Sequence, residues 1–133
     1  LFSNSFEVAS LMQMYLNKGN YDGKNFFSSE TFEKFNNCIY CHNGNRRGVG
    51  FDKPQIEGSG STCGCVSSDS FGHSGFTGTY AWADPEEKII YVFLSNRTYP
   101  SMDNTLLIDH SIRTRIQKII YDSILIKKNK NWK

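Results

Sequence analysis

The string Phe71-Gly72-His73-Ser74-Gly75-Phe76-Thr77-Gly78-Thr79 concentrates more chemistry than any other stretch of the chain. An imidazole and three hydroxyls stand among three glycines. His73 and Ser74 offer hydrogen-bond donors, and Gly75, with no side chain, lets another group approach the backbone closely. A strand edge of this kind can aim N–H groups at a developing oxyanion. The same residues also suit a glycine-rich hairpin whose polar groups satisfy one another, and chemistry alone favours that plainer reading.

The second concentration is the cysteines. All four fall between Cys38 and Cys65, as Cys38-Ile39-Tyr40-Cys41-His42 and Cys63-Gly64-Cys65. The first string fits a haem-attachment pattern, but no haem-type helical domain surrounds it. Cys38, Cys41, Cys63 and Cys65 could form a four-thiolate zinc site, or three thiolates with His42. Two disulfides serve equally well if the protein is exported, with cross-links between the two groups expected, since pairs so near in sequence are constrained. Free thiols are the remaining state. Arg46-Arg47 could bind an anion nearby, although a solvated pair is the simpler reading. His110 reads as a surface residue, Asp84, Glu86 and Glu87 as turn chemistry, and Trp132 has no role assigned.

Helices, a long loop and a meander must position these groups. Asn4 and Glu7 form an approximate capping box for a helix that carries Phe6, Val8, Leu11, Met12 and Tyr15 as far as Asn17. A turn over Gly19–Gly23 follows, then a short helix capped by Ser28 or Ser29 with Phe32 and Phe35 on one face. Residues 36–69 are rich in Gly, Asn and Ser and read as a long loop, with a strand hint at Gly48-Val49-Gly50-Phe51 and a flexible link at Gly58-Ser59-Gly60-Ser61. Phe71–Phe76, Thr79–Ala83 and Lys88–Ser95 predict three antiparallel strands. The third is apolar throughout Ile89–Leu94, so both its faces should be covered. Ile108, Ile112, Ile116, Ile119, Ile120 and Ile124 predict one amphipathic helix over the sheet, with Arg113, Arg115, Lys118 and Asp122 facing away and 127–133 a solvated basic tail. The class is α+β.

Size and composition set outer limits. The chain has 133 residues, 38% of them hydrophobic and 14% aromatic, enough for one domain with its own core. A formal charge of +2 leaves no electrostatic footprint for nucleic acid. No apolar run approaches the ~20 residues of a membrane span. Leu1-Phe2-Ser3 shows neither an initiator Met nor a signal-peptide pattern, so the chain reads as a piece of a longer protein.

Gly72-His73-Ser74-Gly75-Phe76-Thr77-Gly78-Thr79, followed by Trp82-Asp84-Pro85 and Phe93-Leu94-Ser95-Asn96-Arg97, resembles the C-terminal part of serine hydrolases of the class C β-lactamase and penicillin-binding-protein-like family. Residues 6–24, 28–31 and 46–54 are similar to the segments that precede the motif strand in that family, so the resemblance covers nearly the whole chain, 1–133. Its nearest flavour is the β-lactamase-like module at the C-terminus of some bacterial family-three glycoside hydrolases. The resemblance implies an incomplete β-lactamase/transpeptidase-like fold and acyl-enzyme hydrolysis of a β-lactam, an ester or a D-amino-acid peptide, with no cofactor. His73-Ser74-Gly75 matches the family's third motif, Lys/His-Thr/Ser-Gly. His73 and Ser74 would then bind the substrate's polar group, the Phe76 N–H would form half of the oxyanion hole, and Asn96 and Arg97 would add substrate contacts or hold the strand end. An imidazole in place of the family's lysine should introduce a titration into the rate profile.

The departures are as informative. None of the chain's serines has Lys three residues on, so the family's Ser-x-x-Lys nucleophile is missing, and no fitting Tyr-x-Asn or Tyr-x-Ser motif occurs. This piece alone should not turn over an acyl substrate. Its partner is the missing N-terminal part of its own domain, and the parent would act on a small-molecule or peptidoglycan-like substrate in the periplasm or at the cell surface. In the family two N-terminal strands flank the strand matching 89–95. Without them that edge is a template for a homodimer or a swapped pair. Two rival readings stand beside the hydrolase: a non-catalytic accessory module of a carbohydrate-active enzyme, and a zinc-stabilised interaction module.

Overall fold

A computed structural model describes residues 2–55 and 60–130, without the side chains of 128–130. The Gly58-Ser59 half of the expected link, and Trp132, lie outside the described residues. Helix α1 spans Ser5–Leu16. Asn4 caps it, its side-chain oxygen accepting from the N–H groups of Phe6 and Glu7. The reciprocal half of a capping box is absent, because Glu7 instead accepts from Ser3 Oγ at 2.8 Å. Strands β1 (Asn20–Tyr21) and β2 (Lys24–Asn25) form a small hairpin where a turn alone was expected. Asp22 and Gly23 between them both have positive φ, the twist a two-residue hairpin loop requires. Helix α2 covers Ser29–Asn36, with the Ser28 hydroxyl accepting from the Thr31 N–H.

The main sheet is antiparallel, in the order β3 (Phe71–Ser74), β4 (Tyr80–Asp84), β5 (Ile89–Phe93). Alternation along these strands makes two different faces. On one, Phe71, Ala83 and Ile90 meet Met12 of α1 and Phe32 of α2. Phe51 joins them from the loop, 4.9 Å from the Phe71 ring and 5.0 Å from Tyr15. Gly48–Phe51 is thus a tight turn rather than a strand: Gly48 N–H donates to Phe51 O, and Asp52 alone bridges to Arg47 and Gly72. On the other face Tyr80, Trp82 and Tyr91 pack with Val66, Phe93 and Ile120. Both faces of β5 have packing partners, but the cover its apolar run predicts is partial: only Tyr91 is buried, Ile89, Ile90, Val92 and Phe93 are half-buried, and Leu94 is exposed. The outer edge of β5 pairs with no strand among the described residues.

The last helix departs from expectation in register and polarity. Ser111, at φ 50°, separates a short helix α3 (Leu106–Asp109) from α4 (Ile112–Lys130). The α4 face that meets the sheet carries Gln117 and Tyr121, both buried, while Ile119 is 65% exposed. Ile108 and Ile116 are exposed as well. Arg113, expected to face solvent, places its guanidinium 5.7 Å from the Tyr80 ring and donates to the carbonyls of Gly78 and Thr79. The rotation has a physical cause. The sheet face beneath α4 is lined with tyrosine hydroxyls and the fully buried Asp84, which draw polar partners inward, although Trp82 Nε1 and Gln117 Nε2 are buried there without a partner among the described residues. Gln117 Oε1 accepts from the Cys63 N–H and faces the Tyr80 hydroxyl at 3.5 Å, and Tyr121 donates to Asp84 at 2.7 Å. Helix continues through residues expected to be tail.

Candidate active site

His73 and Ser74 end β3, opposite Ala81 and Tyr80 of β4. The strand lies close to its neighbour because Gly72 has no Cβ; one built there would collide with the Ala81 carbonyl and the Trp82 indole. At Gly75 the group that comes close is the Thr79 hydroxyl of the same hairpin. His73, Ser74, Gly75, Thr79 and Val8 line an open cavity of about 390 Å³.

Two partners hold the His73 ring in place. Nδ1 lies 2.9 Å from the Ser74 carbonyl oxygen, which can only accept, so Nδ1 carries the hydrogen. Nε2 lies 3.3 Å from a guanidinium nitrogen of Arg47, which can only donate, so Nε2 presents its lone pair. Arg47 supplies a positive charge beside the imidazole. Arg47 is held in turn by Asp52, 3.6 Å from its Nε, and Asp52 is pinned to β3 through paired backbone bonds with Gly72. Arg47 was read from sequence as half of a solvated pair. The structure brings it onto His73 through the turn at 48–51, and only the run of Gly48 and Gly50 after it hinted at such a fold-back.

Phe76 follows in a turn closed by the Gly78 N–H on Gly75 O. Its own N–H donates to no acceptor among the described residues. Arg97 organises this turn: Nε donates to Phe76 O at 2.9 Å, the guanidinium sits 4.8 Å from the Phe76 ring, and a terminal nitrogen reaches the Met102 and Asn104 carbonyls. The Arg97 N–H and the Ser95 hydroxyl both donate to Thr77 O. Asn96 accepts from the Thr98 hydroxyl. Asn96 and Arg97 therefore stand behind the Phe76 turn, with Arg97 committed to backbone carbonyls.

At the opposite end of the sheet Asp84 accepts from Ser67 N–H and Oγ, from Tyr121, and from the Glu86 and Glu87 N–H groups. Burial on its own would raise its carboxyl. Donation from Ser67, Tyr121 and Glu87 outweighs that and holds it below the ordinary carboxylate value. Turn chemistry for this acid, as its Asp-Pro-Glu-Glu setting suggested, is what the structure shows.

The cysteines pair within their groups, Cys38 with Cys41 and Cys63 with Cys65, not across them. Local turns bring each pair within reach, with Cα separations of 5.4 and 5.2 Å, inside the ordinary span. Cys41 N–H turns back toward Cys38 O, and Gly64 at φ 70° reverses the chain between Cys63 and Cys65. All four sulfurs are thereby taken from any zinc site.

Residues 18–112 match the family model described as Beta-lactamase. The chain is 34% identical over 103 residues to a protein of Escherichia coli O157:H7 named "Putative D-alanyl-D-alanine carboxypeptidase", covering 74% of this chain and 23% of that protein. A protein of the same name from Salmonella enteritidis PT4 is 32% identical over 108 residues, covering 78% of this chain and 24% of its own. The chain spans about a quarter of the length of these relatives. With the matched region running from the end of α1 into α4, through the His73-Ser74-Gly75 strand, the chain belongs to the beta-lactamase family.

Proposed function

We propose that this chain supplies one wall of the active site of a serine hydrolase whose nucleophile lies outside it, and that the substrate is a peptide ending in D-alanyl-D-alanine. The pairing of Arg47 with His73 carries the reading. A guanidinium beside the motif strand suits the terminal carboxylate of such a peptide, which can accept two parallel N–H bonds from it. Ser74 would hold the peptide along β3. The Phe76 N–H, steadied through Arg97, would donate to the oxyanion that forms when a serine oxygen attacks the scissile carbonyl. D-alanine would then leave, and water would release the acyl group from the serine. The names of the relatives support this substrate class.

The parent is read as periplasmic or cell-surface, where peptidoglycan-like substrates lie. The free edge of β5 is read as the seat of the missing part of the domain or, in this chain alone, of a second copy. A clean monomer in sedimentation at tens of micromolar would count against the dimer.

The test starts with the coding sequence upstream of Leu1, read for Ser-x-x-Lys followed by Tyr-x-Asn or Tyr-x-Ser, and for a glycoside hydrolase module. With both motifs present, the full-length protein should release D-alanine from a D-alanyl-D-alanine peptide. Arg47→Gln should then raise KM roughly tenfold to a hundredfold, the worth of a charge-assisted hydrogen bond. An unchanged KM would remove Arg47 from the site. Absence of both motifs would leave a binding module without a nucleophile.

A further inference from the structure

The two sulfurs of the Cys38–Cys41 bond sit in opposite chemical surroundings. Cys41 Sγ receives a guanidinium nitrogen of Arg46 at 2.7 Å, and Arg46 is itself fixed by donation from Nε to Pro54 O at 2.6 Å. Cys38 Sγ lies 3.5 Å from the Asn45 carbonyl oxygen and 3.8 Å from that of Arg47. A cation stabilises a thiolate, whereas carbonyl oxygens favour a protonated thiol that can donate to them. The environment is therefore already matched to a reduced pair, thiolate on Cys41 and thiol on Cys38. Little fold stability argues for keeping the bond closed, because so short a loop constrains the unfolded chain weakly.

Cys38 lines an open cavity of about 650 Å³ together with Lys18, Lys34 and the buried Lys53. Cys41 lies across the bond, against Arg46.

We propose that Cys38–Cys41 is a thiol–disulfide exchange site that takes a small or peptide dithiol through this cavity. The dithiol's thiolate attacks Cys38 Sγ, the S–S bond breaks, and Cys41 leaves as a thiolate on Arg46. The second thiol of the reductant loses its proton and attacks the mixed disulfide. Cys38 is released and takes up a proton, the dithiol is oxidised to its cyclic disulfide, and the cysteine pair is reduced by two electrons. A leaving thiol with a stabilised thiolate departs faster, so Arg46 sets the direction of attack. Around the Cys63–Cys65 bond the contacts are the Cys65 N–H on Cys63 Sγ and Gln117 on the Cys63 N–H, neither of which supplies a charge.

Timed reduction of the 133-residue chain with limiting dithiothreitol, followed by alkylation and peptide mapping by mass, tests the proposal. The Cys38–Cys41 bond should open about tenfold or more ahead of Cys63–Cys65, and in the reduced protein Cys41 should alkylate ahead of Cys38 at mildly acidic pH. Oxidised glutathione offered to the Cys41→Ser variant should be captured on Cys38. Arg46→Gln should slow opening about tenfold while Arg46→Lys retains most of it. Equal opening of the two bonds in the unsubstituted chain, or Cys38 alkylating first, would overturn the proposal whether or not the variants fold. In folded variants, an Arg46→Gln rate equal to that of the original chain would do the same.

Discussion

One three-stranded sheet carries two ends built on opposite terms. At the Asp84 end a fully buried carboxylate gathers five donors from three segments of chain, and Phe71 and Trp82 are enclosed beside it. At the His73 end the imidazole and the Phe76 ring are exposed, and the nearest guanidinium stands at the surface. The covalent frame is the same, since β3 and β4 run through both. What differs is where the polar atoms find partners. Groups satisfied internally hold the fold, and groups left facing an open cavity are available to a ligand.

That contrast can be broken by substitution. Asp84→Ala should cost about 4 kcal/mol of unfolding free energy, since it strands the donors of Ser67 and Tyr121 in the interior. Denaturant titration reads it, and a loss below about 1 kcal/mol would deny the carboxylate its role. Gly72→Ala, on the shared strand, should cost about 2 kcal/mol, because the added methyl meets a carbonyl and an indole in a packed sheet. Arg47→Gln should change stability by no more than about 0.5 kcal/mol, as for other exposed substitutions. A large loss there would mean that Arg47 serves the fold.

Titration sharpens the same comparison, through buried groups at both ends of the sheet. Asp84 is held below the usual carboxylate range, so its contribution is complete above the unfolded value and fades as pH falls through the folded one. Lys53 acts with the same sign, through burial rather than through donors. Burial lowers it from 10.5 to about 8, against an opposing pull from Asp69. Between those values the unfolded chain holds a proton that the folded one has lost, so stability should rise with pH across that window. Tyr80 and Tyr121, both pushed up by burial, should reverse the rise once unfolded tyrosines ionise near pH ~10. A flat denaturation midpoint from pH ~8 to ~10 would remove the Lys53 effect.

Much of this architecture was legible without coordinates. The three strands were placed by alternation and turn residues, though each observed strand ends short of, or is shifted from, its expected bounds. The Asn4 and Ser28 caps and the Asp84 turn were legible for the same reason: each is a contact between residues a few positions apart. The motif strand was found from its own residue types.

Most of the rest needed contacts between distant parts of the chain. The helix α4 shows this best. Its isoleucine spacing defines a stripe, yet the partner face carries Tyr80 and Asp84, which meet Gln117 and Tyr121 turned inward, and Tyr91, which donates to the Arg113 carbonyl. The cysteine pairing turned on local bends that spacing did not reveal. Arg47 meets His73 across 26 positions, and Arg97 meets Phe76 across 21. The sequence by itself determined the α+β elements, the caps and the motif strand, because short-range sterics and periodicity suffice for these. Only the tertiary structure decided which cation stands at His73, which face α4 buries and which sulfurs join. The first two depend on satisfying polar atoms that residues far away in the chain bring into place, and the third on local bends at Cys41 and Gly64.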